Sequence, residues 1–202
     1  VDHFKPVDAA SLRAELGLTN KKVIVSVGRL VHRKGQDHLI ESMPAILKVH
    51  PDAHLLLVGK GPYLEYLAKL VAKNGLQDSV SFIGRIQYAE LPAYICCGDI
   101  FAMPSRSRLM GLEVEGLGIV YLEASACGLP VIAGKSGGAP DAVIDGTTGL
   151  VVDGTNNDEI AKAAIALLSD PSKAQQMGAA GRQWIISIVG RQRPSAVPSM
   201  DQ

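Results

Sequence analysis

A single α/β domain on a doubly wound, Rossmann-like parallel sheet is the fold the sequence predicts, and three observations carry it. Short β-rich runs alternate with amphipathic helical patterns, the sign of a parallel sheet covered on both faces. Several of the runs are apolar throughout rather than alternating, as strands buried on both sides require. Glycines stop the helical stretches at Asn74-Gly75 and Cys127-Gly128.

In chain order, strands are expected over residues 23–27, 54–58, 80–83, 100–103, 130–133 and 149–152. Helices are expected over 36–49, 63–73, 89–95, 118–126 and 157–168, with a further one over 172–186 opening at Asp170-Pro171, where proline suits a first turn. Residues 1–16 read as a linker, 17–186 as the folded domain, and 187–202, polar and proline-bearing, as a disordered tail. In sheets of this kind ligands bind beyond the carboxyl ends of the strands, so chemistry is sought in the loops that follow them.

Composition narrows the function. Lysine plus arginine and aspartate plus glutamate are balanced at 20 each, so no general field draws the chain to nucleic acid. Anion handling must come from a few placed cations. Three cysteines, two of them adjacent at Cys96 and Cys97, suit reduced thiols and a cytoplasmic setting better than a disulfide scaffold. The five histidines lack metal-ligand spacing, and no Asp-x-Asp pair stands at a strand end to argue for a metal. There is no apolar stretch long enough to span a membrane and no secretory signal at the start.

Two segments can carry chemistry. The first strand runs into Gly28 and Arg29, and Lys34-Gly35 opens the next helix. A planar cation and a point cation at a helix N-terminus suit a diphosphate, although a solvated basic loop reads the same way. The second segment is Glu115-Gly116-Leu117-Gly118-Ile119-Val120-Tyr121-Leu122-Glu123. Its glycines would bare backbone N–H groups at a helix start. Glu115 and Glu123 are eight residues apart, a little over two helical turns, and so are expected on roughly one face. Such carboxylates can take vicinal hydroxyls. Alternatively, Glu115 is a dipole partner and Glu123 an exposed helix residue, but the apolar neighbours Val120, Leu122, Ala124 and Ala126 imply burial and hence a need for a partner. Arg106 and Arg108 lead into this segment and read either as a solvated loop or as contacts for an anionic acceptor. The glycine-rich turn around Lys60 reads chiefly as architecture.

The Glu115-to-Glu123 segment resembles the E-x7-E motif of the retaining GT-B glycosyltransferases of group 1, or family 4. Val27-Gly28-Arg29-Leu30 with Lys34-Gly35, Leu57 to Pro62, Val80 to Gly84 and Ala133 to Ala139 resemble further family blocks in the same order, over roughly residues 1 to 185. The stretch from Arg108 to Gly116, followed by Ile119-Val120-Tyr121, is similar to actinobacterial phosphatidylinositol mannoside mannosyltransferases that use GDP-mannose. The resemblance implies half of a GT-B fold that binds a nucleotide sugar. It makes Glu115, Arg29 and Lys34 the catalytic set: Arg29 and Lys34 on the donor diphosphate, Glu115 on the hexose. Glu123 would hold the ribose, Gly28, Gly116, Gly118, Ile119 and Val120 would line the cradle, and Ile86 would meet the base. The family reaction is metal-independent with retained anomeric configuration.

The resemblance also implies what lies elsewhere. Residues 1–6 resemble the linker into the second of two domains, so the N-terminal acceptor domain is expected as a missing partner, with a lipid acceptor possible at the inner membrane face. A non-catalytic nucleotide-sugar-binding module is the alternative. A nicotinamide-binding domain fits poorly, because Gly28-Arg29-Leu30 stands where a Gly-x-Gly-x-x-Gly turn belongs.

Overall fold

The computed structural model of the chain describes residues 2–107, 115–116 and 118–191. The strands are β1 (Lys22–Val27), β2 (Ala53–Val58), β3 (Val80–Gly84), β4 (Ile100–Met103), β5 (Val131–Gly134) and β6 (Gly149–Val152). They pair in the order β3-β2-β1-β4-β5-β6, every pair parallel. The chain therefore reverses its direction of travel across the sheet between β1 and β4. The residues of β2, β4 and β5 are all buried, which explains why these strands show no alternation.

Helices α2 (Gln36–Val49), α3 (Leu64–Lys73) and α6 (Asn157–Ser169) build one apolar layer, with Leu39, Met43, Leu67 and Leu167 against Ile24, Leu55 and Ile100. On the other face lie α4 (Leu91–Cys96) and α5 (Ile119–Ala126), where Ile95, Tyr121 and Ala124 meet Val25, Leu56 and Phe101. Helix α7 (Pro171–Arg191) spans the expected tail boundary at 187, and residues 192–202 lie outside the described ones. Asn156 caps α6 through its side chain, accepting from the N–H groups of Asp158 and Glu159.

The segment read as a linker contains a short helix, α1 (Ala10–Glu15), and is fastened to the domain. Phe4 and Ala9 are buried in the second apolar layer. The Arg13 guanidinium donates to the carbonyls of Cys97, Leu18 and Lys21. Six helical residues give too little periodicity to be seen in sequence.

Gly35 joins the fold to the site. It caps α2 at φ 73°, in the left-handed region. A Cβ there would lie 1.9 Å from the Pro104 carbonyl oxygen. The turn after β1 is thus pressed onto the segment after β4. Gly35→Ala is expected to destabilise the chain by more than about 1–2 kcal/mol, the left-handed penalty alone. A urea unfolding midpoint equal to that of the unaltered chain would contradict this close packing.

Candidate functional site

The loops after β1 and β4 flank the point where the strand order reverses, and a cavity of about 500 Å³ opens there. Val27, Gly28, Lys34, Glu115, Gly116, Gly118, Ile119, Val120 and Glu123 line it. Most of the residues singled out in the sequence therefore meet in one place.

Glu115 is the centre of the arrangement. Lys34 Nζ donates to its Oε1 at 2.9 Å, and the two side chains keep 11% and 7% of their exposure. Two charges so far from water require each other. Arg33 Nε stands 3.9 Å from Oε2, too long for a hydrogen bond. Among the described residues Oε2 has no hydrogen-bond partner although it is buried. A buried carboxylate oxygen without a hydrogen bond is an acceptor waiting for a donor. The backbone of Glu115 is held on both sides: its N–H donates to Ser136 Oγ at 3.0 Å, and its carbonyl accepts from Gly138 N–H at 3.2 Å.

Glu115 precedes α5 and does not lie on it, so helical periodicity is not what brings it to Glu123. Gly118, left-handed at φ 63°, makes the turn into the helix. The buried Tyr121 ring fills the space a side chain at Gly118 would need, 2.4 Å from such a Cβ. Its hydroxyl donates to the Met103 carbonyl at 2.7 Å and shares a hydrogen bond with Ser105 Oγ at 2.8 Å, tying the start of α5 to the end of β4. Ile119 and Val120 open the helix, where the first N–H groups lack the usual intrahelical carbonyl, and both residues line the cavity.

Glu123 is half-buried at the far side of the lining. Its carboxylate accepts no hydrogen bond from the described residues. Burial raises its pKa, with His3 pulling the other way. His3 also stacks on Tyr88, with ring centroids 4.5 Å apart, so the Glu123 end adjoins a second hollow. Ile86 lies there, with Arg85, Gln87, Tyr88, Glu90 and Tyr94, and not in the main cavity.

Arg29 is exposed and is not among the residues lining the cavity, as suits a guanidinium with no ion pair among the described residues. The cation brought beside Lys34 is its sequence neighbour Arg33. Arg106 departs from its expected place. It is buried and clasps Asp37, with distances of 2.6 Å to each carboxylate oxygen, so neither a solvated loop nor an acceptor contact describes it. Ser136, Tyr121 and Asp37 carried no signal in the sequence, because their partners are distant in the chain. Arg108, the stretch 109–114 and Leu117 lie outside the described residues. Among the described residues no group of three or more His, Cys, Asp or Glu side chains is placed to hold a metal ion. No helix there is long and apolar enough to cross a membrane.

A doubly wound sheet with a carboxylate-and-lysine cavity at its switch point defines a ligand-binding α/β domain. The family model for "Glycosyl transferases group 1" matches residues 8–184, and the chain belongs to that family. It is 52% identical over 187 residues to the GDP-mannose-dependent alpha-(1-6)-phosphatidylinositol monomannoside mannosyltransferase of Mycolicibacterium smegmatis, covering 92% of this chain and 49% of that relative. It is 46% identical over 200 residues to the GDP-mannose-dependent monoacylated alpha-(1-6)-phosphatidylinositol monomannoside mannosyltransferase of Corynebacterium glutamicum, covering 96% and 52%. The chain thus spans about half the length of the curated relatives it matches. Among solved structures it resembles the C-terminal domain of a glycosyl transferase group 1 family protein from Francisella tularensis, with TM-score 0.79 and 25% identity over 95% of this chain and 98% of that one. It also resembles Anabaena Alr3699/HepE in complex with UDP, with TM-score 0.81 and 26% identity over 92% of this chain and 50% of that one.

The raised pKa of Glu123 has a signed consequence. The folded chain binds the proton more tightly than the unfolded chain, so this residue costs stability as pH rises from the unfolded carboxylate value through the folded one. Glu123→Gln is expected to be at least as stable as the unaltered chain at neutral pH. That advantage should shrink as pH falls towards the carboxylate range. Thermal melts showing Glu123→Gln less stable at neutral pH would contradict the assignment.

Proposed function

We propose that this chain is the donor-holding half of a two-domain retaining hexosyltransferase. It would grip GDP-mannose while a partner domain presents a glycolipid acceptor, which would place the enzyme at the inner face of the cytoplasmic membrane. The observation that carries this is Glu115: a buried carboxylate at the mouth of a helix, with one oxygen on Lys34 and the other, 3.9 Å from Arg33, without a hydrogen bond from the described residues. This second oxygen, Oε2, suits a hydroxyl of the transferred hexose. The Lys34 ammonium and the leading N–H groups of α5 suit the diphosphate, whose charge grows as the sugar departs. Arg29, exposed at the rim, has the length to reach the same anion. Glu123 offers two oxygens that accept no hydrogen bond from the described residues for the ribose diol, and the hollow around Ile86 beyond it suits the base. The names of the relatives support guanine and mannose over other donors.

The donor site can be tested on this chain alone. Calorimetric titration with GDP, UDP and ADP should show GDP binding tightest. A folded chain that binds none of them contradicts the donor site, whereas a preference for UDP keeps the site and removes mannose. Lys34→Gln should weaken GDP roughly tenfold or more, the scale of a charge-assisted hydrogen bond, and leave guanosine nearly unchanged. Equal loss for both would refute the phosphate role. Glu123→Ala should weaken guanosine and GDP alike. In a protein carrying both domains, Glu115→Ala should lower turnover far more than GDP affinity.

A further inference from the structure

Behind the cavity lies a buried polar cluster that the proposed function does not use. Arg106 follows β4, and its guanidinium forks onto both oxygens of Asp37, at 2.6 Å each. Asp37 is in the first turn of α2, and both residues are nearly out of water. The same Arg106 donates to His32 Nδ1 at 2.5 Å, and its backbone N–H donates to the Arg33 carbonyl at 2.9 Å. Tyr63, at the start of α3, donates its hydroxyl to Asp37 Oδ2 at 2.9 Å and lays its ring against His32.

The cluster thus grips the short turn His32–Lys34 from both sides, through a side chain and through the backbone. That turn carries Lys34. One guanidinium therefore braces the turn whose Lys34 pairs with Glu115. A buried ion pair is a poor means of gaining stability, since apolar side chains of similar volume often serve as well. What a planar, bidentate fork gives is register.

We infer that Arg106 and Asp37 are positioning residues for donor binding: they set where the Lys34 ammonium stands, and through it the diphosphate. The inference rests on the proposed donor site for its meaning, but its geometry can be tested without a ligand. Burial of Asp37 opposes its charge, yet the Arg106 contacts, together with Tyr63 and His38, hold its carboxyl below the usual range.

Single variants at either position strand a buried charge and can fail to fold. The decisive variant is therefore the double replacement Asp37→Leu with Arg106→Met, which removes both charges and keeps apolar volume, with Arg106→Lys as the conservative companion. Melting temperature, amine acetylation of Lys34 read by mass spectrometry against the exposed Lys69, and affinities for GDP and guanosine are measured together. The expected double variant melts like the unaltered chain. Its Lys34 acetylation rises severalfold relative to Lys69, and GDP binding weakens about tenfold with guanosine unchanged. Arg106→Lys, retaining charge without the fork, should fall between. A folded double variant whose Lys34 stays protected overturns the inference, as does exposed Lys34 with undiminished GDP affinity or equal weakening of GDP and guanosine. If the unaltered chain binds no nucleotide, the donor site falls, and Lys34 protection alone decides whether the cluster positions the turn.

Discussion

Lys34 and Glu115 are 81 residues apart in sequence and meet where both charges are largely withdrawn from water. Each is costly there without the other, so their pairing constrains everything that carries them. The turn after β1 must press against the segment after β4, which is possible because Gly35 has no side chain to strike Pro104. The start of α5 must lie close to the end of β4, and the buried Tyr121 hydroxyl holds it there. Ser136 and Gly138, in the loop after β5, fix the backbone of Glu115. The parallel order of the strands brings all three loops to one edge of the sheet.

The pairing is incomplete, and that incompleteness is what the proposed donor site would use. One oxygen of Glu115 is a buried acceptor that the described residues leave unanswered. Keeping such groups away from water costs stability, a pattern typical of binding sites and unexpected in plain scaffolding. Lining residues from β1, the turn after it and α5 form a floor and one wall. Family relatives are about twice as long as this chain, and in the proposed two-domain enzyme the facing wall belongs to the acceptor domain.

The sheet was legible because burial on both faces demands unbroken apolar runs; 54–58 and 100–103 needed no alternation to be seen. Strand ends shifted by a residue or so, since hydrogen bonding and not hydropathy decides them. The site was legible through Lys34, Glu115 and Glu123, whose residue types and glycine setting suit an anion and a sugar. Three things were hidden. The sequence has Arg29 and Arg33 in the same basic loop, and only the fold turns Arg33 towards Glu115 and leaves Arg29 in water. The bond between Arg106 and Asp37 joins residues 69 apart, and neither residue's neighbours announce it. The spacing of Glu115 and Glu123 suggested one helical face, whereas a left-handed Gly118 delivers Glu115 from outside the helix.

A hollow of about 440 Å³ at the opposite end of the sheet, lined by Lys21, Lys22, Gly98, Leu168 and Gln175, provides a built-in control for the location of the site. Backbone amide chemical shifts of the chain, followed by NMR as GDP is added, distinguish the two ends in one experiment. The expected result is perturbation of Gly28, Lys34, Glu115, Ile119, Val120 and Glu123, with Lys21, Gly98 and Gln175 unmoved. Perturbations gathered at that far hollow, with the amides around Glu115 unchanged, would contradict the donor site.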